Sequence, residues 1–168
     1  DIGRDLIAQS RDPLASKLYF WLLFSKKNEV ENYNRMAQMI RTNPEWPGVS
    51  AMRKKAEQRM PKDLSPAEII AWFDDYSPRT ADGIDRYMQA LLGSGQTAKA
   101  QTTLSDWWAS NSLSRDDQRS LYRKYKQYLP MSAHKRRFDN MLYNGSYTNA
   151  RAIAGVLGPG YVELADAR

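Results

Sequence analysis

The chain has 168 residues, 42% of them hydrophobic, which suits one domain with a continuous core and excludes wholesale disorder. Its 25 Lys and Arg against 19 Asp and Glu give a net charge of +6, which favours acidic partners. With no cysteine and a single histidine, a disulfide framework and a Cys/His zinc cluster are both excluded.

The longest apolar run, Leu18 to Phe24, falls far short of the ~20 residues of a membrane span, so no transmembrane segment is expected. The chain opens on Asp1 with no signal-like stretch ahead of the first helix, as expected of a processed protein or a piece of a longer one.

Apolar spacing is helical almost throughout. Asp12-Pro13 is a cap and first-turn proline, after which Leu14, Leu18, Trp21 and Leu22 share one face. Val30, Tyr33, Ala37 and Ile40 form a second stripe, stopped at Asn43-Pro44. Val49, Met52, Ala56 and Met60 form a third, ending at Pro61.

Ser65-Pro66-Ala67-Glu68 is a capping box ahead of Ile69, Trp72 and Phe73. Thr80 caps the next helix, whose Ile84, Tyr87, Met88, Leu91 and Leu92 fit the helical template in full, and Gly93 and Gly95 end it. Ala100, Leu104, Trp107 and Trp108 mark another. Ser114 with Asp117 starts the helix of Leu121, Tyr122 and Tyr125. His134, Phe138, Met141 and Leu142 follow, then Gly145 and two short helices around Ala150 and Tyr161.

Short helices joined by short loops predict antiparallel hairpins. An internal echo points the same way: Leu91-Leu92-x-x-Gly95-x-x-x-x-Ala100 recurs 50 residues later as Met141-Leu142-x-x-Gly145-x-x-x-x-Ala150. The expected fold is all-α, with helical hairpins stacked as a tetratricopeptide-like superhelix or α-solenoid forming a single domain over 1–168.

Chemistry is sparse. His134 sits on an apolar stripe and reads as a core or helix-cap histidine. The adjacent pairs Asp74-Asp75 and Asp116-Asp117 diverge by ~100° on a helix, so they read as caps and solvated charges. No catalytic residue, metal ligand or cofactor site is expected.

Most of the five tryptophans and ten tyrosines fall on core stripes, with Trp108 and Tyr125 the expected exceptions that stay available as platforms. Basic residues cluster at Arg53-Lys54-Lys55 and Lys135-Arg136-Arg137. Arg115, Arg119, Arg123 and Lys126 form a one-sided stripe, which is the candidate ligand-binding surface for an anionic polymer. No nucleic-acid motif accompanies it, so nucleic acid is not an expected partner.

One ordered series is recognisable. Asn43-Pro44-Glu45-Trp46-Pro47-Gly48, Arg53-x-x-Ala56-Glu57 and Trp72-Phe73-x-x-x-x-Pro78-x-Thr80-x-x-Gly83 lead into the Gly95 segment. His134-x-x-Arg137-x-x-x-Met141-Leu142 and Ala165-x-Ala167-Arg168 complete it. The series resembles the helical N-terminal region of soluble lytic murein transglycosylases. That resemblance implies a periplasmic bacterial scaffold, with peptidoglycan or cell-wall proteins as partners, beside a separate lysozyme-like module that cleaves with a Glu-Ser glutamate.

None of the six glutamates here is followed by Ser, so no catalytic residue carries over. A free-standing protein-binding adaptor is the alternative, and a basic nucleic-acid binder a weaker third.

Overall fold

A computed structural model describes residues 12–25 and 33–167. Val30 and Arg168, singled out in the sequence, lie outside the described residues. Among those described, all regular structure is helical, and no helix is long and apolar enough to cross a membrane. The chain divides into two compact units, 1–64 and 65–168.

In the first unit, α1 (Pro13–Ser25), α2 (Tyr33–Thr42) and α3 (Val49–Gln58) pack pairwise on one another. Asp12 accepts from the Leu14 amide at 2.9 Å, capping α1. The Trp21 indole donates to the Pro47 carbonyl at 2.5 Å and ties α1 to the loop before α3. Tyr33, Met36, Ala37 and Ile40 meet Val49, Met52, Ala56 and Met60 in the core. Leu14, Leu18 and Leu22 do share a face, but it is exposed.

The second unit holds α4 (Pro66–Asp75), α5 (Ala81–Gly93), α6 (Thr97–Ser110) and α7 (Arg115–Tyr125). A 3-10 turn (Lys126–Tyr128), α8 (Met131–Tyr143), α9 (Tyr147–Leu157) and α10 (Pro159–Asp166) complete it. The helix starts follow the sequence signals. Ser65 and Glu68 exchange the reciprocal bonds of a capping box, at 2.9 and 3.3 Å. The Thr80 hydroxyl accepts from Gly83 at 2.9 Å and that of Ser114 from Asp117 at 3.1 Å.

Each helix packs on a sequence neighbour or on the helix after next. Contacts run α4 to α5, α5 to α6, α5 to α7, α6 to α8, α8 to α9 and α9 to α10. Phe138, Met141, Ala150, Ile153, Ala154 and Ala165 form one buried cluster at the C-terminal end, with Tyr161 set edge-on to Phe138 at 5.1 Å.

The 50-residue echo is the same turn built twice. Gly95 and Gly145 have φ of 71° and 72°. Gly95 donates to Leu92 and Gln96 to Leu91, while Gly145 donates to Leu142 and Ser146 to Met141. That pair of bonds is the Schellman ending, which requires the left-handed residue that glycine supplies without strain. Ala100 and Ala150, five residues on, are both 0% exposed.

Apart from the adjoining backbone, no heavy atom would lie within 4 Å of a Cβ added at Gly93, Gly95 or Gly145, so backbone conformation decides the effect of alanine there. Gly95→Ala and Gly145→Ala should each destabilise by about 1–2 kcal/mol. Gly93→Ala, at a helical position, should be neutral or stabilise by about 0.5–1 kcal/mol. Urea unfolding of the three variants checks the contrast.

Candidate functional site

The site is organised by the C-terminal end of α6. A helix leaves its last four carbonyls without internal partners, and here that end is buried between neighbours. Asn111 returns its backbone and side-chain amides to the Trp107 carbonyl at 3.1 and 3.0 Å. Two side chains of α8 reach across to the next carbonyls. Asn140 donates to Ala109 at 2.9 Å, and Arg137 Nη1 donates to Trp108 at 2.5 Å and to Asn111 at 2.8 Å.

Arg137 is 1% exposed. Its Nη2 and Nε bond the Gln118 side-chain oxygen of α7 at 2.9 and 3.3 Å, and the guanidinium lies 4.5 Å from the Trp108 ring centroid. Among the described residues no carboxylate bonds it. The charge is held by helix-end carbonyls, an amide oxygen and an aromatic face. Burial pushes its pKa down to about 10, so it remains protonated at neutral pH. Sequence reasoning placed Arg137 in a surface cluster with Lys135 and Arg136. Those two are exposed, and Arg136 pairs with Asp106 at 3.0 Å.

The expected platforms are corrected as well. Trp107 and Trp108 are both buried, at 6% and 0% exposure, because α6 is covered on more than one side. The Trp107 indole donates to Pro78 at 2.7 Å, while Trp108 packs against Arg137, Tyr122 and His134. Tyr125 is 3% exposed, and its hydroxyl bonds the Asp85 carboxylate at 2.5 Å. Burial, reinforced by that carboxylate, holds its proton well above the usual tyrosine range. The acids Asp74 and Asp117 are engaged with Lys99 and Ser114, as structural charges.

All four residues of the basic stripe are exposed, but the structure divides them. Arg115 and Arg119 join Gln118 and Tyr122 along one side of a cavity of about 230 Å³. Ile153 and Val156 of α9 form another side, and Trp108 and His134 also line it. Arg123 and Lys126 lie outside it, Lys126 in the 3-10 turn beyond α7.

No carboxylate lines this cavity. Trp108 Nε1 and His134 Nδ1 are buried without hydrogen-bond partners. His134 is 3% exposed and edge-on to Trp108 and Tyr122 at 5.9 and 5.5 Å. Burial, with a smaller effect from Arg137, lowers its pKa and favours the neutral ring.

A cavity of about 280 Å³ in the first unit is lined in part by Lys17, Arg35, Thr42 and Asn43. There the Asn43 amide is already bonded to Thr42 at 2.7 Å and to the Met39 carbonyl at 3.2 Å.

The arrangement around Trp108 is a set of donors over aromatic and aliphatic walls, which suits recognition of an anion. The signal for Arg137 is present in the sequence: it is three residues after His134 and four before Met141, on the buried face of its helix. Comparison with known proteins finds no matching family model, no matching curated protein and no matching solved structure.

Removing the Arg137 charge leaves two carbonyls and the Gln118 oxygen without a donor. Arg137→Met should therefore destabilise by about 3 kcal/mol or more. Arg136→Ala breaks only an exposed pair and should cost less than about 0.5 kcal/mol. Denaturant midpoints of the two variants check this.

His134 gives a separate prediction. The folded state resists protonating it, so below its ordinary pKa of 6.5 the unfolded chain binds more protons and stability falls with pH. Asp74 and Glu68 are held below their usual range by bonds from Lys99 and Ser65, so they lose their contribution only at lower pH. Thermal midpoints measured from pH 7.5 to 5.5 should fall in the parent and flatten in His134→Phe.

Proposed function

We propose that the chain is a non-catalytic helical scaffold of a periplasmic peptidoglycan lytic transglycosylase, holding glycan strands or cell-wall proteins beside a separate lysozyme-like module. The observation that carries the scaffold reading is the duplicated hairpin. Gly95 and Gly145 close the same turn, with Ala100 and Ala150 fully buried at the same offset. Together with contacts that skip a helix, α5 to α7 and α6 to α8, it supports stacking of hairpins as a tetratricopeptide-like superhelix.

The peptidoglycan assignment is supported by the ordered series from Asn43-Pro44 to Ala167-Arg168 and its likeness to transglycosylase helical regions. In this reading Arg115, Arg119, Arg123 and Lys126 attract the carboxylates of peptidoglycan stem peptides. Exposed charges act over a Debye length of ~8 Å at physiological salt, so the attraction is modest and screened.

The chain alone should sediment with purified sacculi in a salt-sensitive manner and release no anhydromuropeptides from them. Charge reversal at Arg119 and Arg123 together should reduce sedimentation while leaving the thermal midpoint nearly unchanged. Anhydromuropeptide release abolished by one Asp or Glu substitution would overturn the non-catalytic reading, and sedimentation indifferent to both salt and charge reversal would overturn the stripe.

A further inference from the structure

We propose that the cavity between α7 and α9 is a discrete binding site for one small oxyanion, a carboxylate or phosphate carried on a flat, largely apolar body. It shares Arg115 and Arg119 with the exposed stripe but does not depend on the scaffold reading.

Three observations carry it. Arg115 and Arg119 are one helical turn apart on α7, both line the cavity, and neither has a hydrogen bond or ion pair among the described residues. Two guanidinium groups with that spacing can share one oxyanion, each offering a planar fork of N–H donors.

The second is the lack of acceptors. No carboxylate lines the cavity, and Gln118 turns its oxygen to Arg137, which leaves its N–H₂ group. The rings of Trp108 and His134 complete the lining without adding an acidic group. His134 lines the cavity as a neutral ring. Arg137 over the Trp108 ring adds positive potential, while Asp116 and Asp117 sit exposed on the first turn of α7.

The third is shape. About 230 Å³ is below the ~300–1,000 Å³ of drug-sized sites, which restricts the occupant to roughly one ring with its head group. Tyr122 and Trp108 on one side and Ile153 and Val156 on the other favour a flat apolar body over a bare ion.

His134 is the only histidine of the chain, so its imidazole resonance needs no assignment. The 168-residue chain is titrated with benzoate, its neutral analogue benzamide and inorganic phosphate, following that resonance. A saturable shift with benzoate and none with benzamide is expected. Saturation with phosphate as well would extend the site to phosphate heads, and saturation with benzoate alone would assign it to carboxylates.

Arg115→Gln with Arg119→Gln should weaken binding about tenfold or more, the loss expected for two charge-assisted contacts. Ala152→Trp, at an exposed position on the cavity lining, should block entry while leaving both arginines in place. No saturable shift with either anion would overturn the proposal. So would benzoate binding unchanged in both variants, with their thermal midpoints at the parent value.

Discussion

A guanidinium with 1% of its surface in water must find its acceptors inside the protein, and the position of Arg137 constrains three helices at once. The two carbonyls that satisfy it belong to the end of α6 and the residue after it, and the amide oxygen belongs to α7. Moving any of the three away strands a charge in a low-dielectric interior, which is far more unfavourable than losing one apolar contact. The helix dipole makes this the right end of α6 for a cation. Arg137 therefore acts as a capping residue supplied in trans by α8.

That constraint links the repeat to the cavity. α8 is the helix that ends at the Gly145 turn, so the hairpin it forms with α9 is registered on α6 by the same side chain that covers Trp108. With Trp108 fixed under Arg137 and edge-on to His134, the aromatic end of the cavity is held from beneath. The donors of α7 and the aliphatic residues of α9 then face each other across a gap that packing does not fill. A site built on packed helices is more precisely placed than one built on loops. Arg123 and Lys126, outside the cavity, have no such support.

Much of the fold was legible because it is written in local rules. Ser65 with Glu68, Thr80 and Ser114 each cap the helix that the sequence marks. The described residues of the α2 and α3 stripes are buried as their spacing implies, as are those of α5 except half-buried Leu92, and the two glycines turn where the echo places them. The site was less legible. Adjacent Trp107 and Trp108 point about 100° apart, which suggests one exposed ring, yet α6 has neighbours on both sides. Tyr125 is buried with its hydroxyl donating to Asp85, 40 residues earlier in the chain. Arg137 was hidden by its company: beside Lys135 and Arg136 it reads as solvated charge, although its spacing from His134 and Met141 puts it on the buried face. Local propensity cannot encode a partner supplied by a distant helix end.

The central claim is that Arg137 and its acceptors act as one unit, and a double-mutant cycle tests it most directly. Stability is measured for Arg137→Met, Gln118→Leu and the two together. Coupling through the buried bonds at 2.9 and 3.3 Å should make the double variant less damaged than the sum of the singles, by about 1 kcal/mol or more. Additivity within about 0.3 kcal/mol would contradict the account, because independent sites behave that way and a shared buried charge does not.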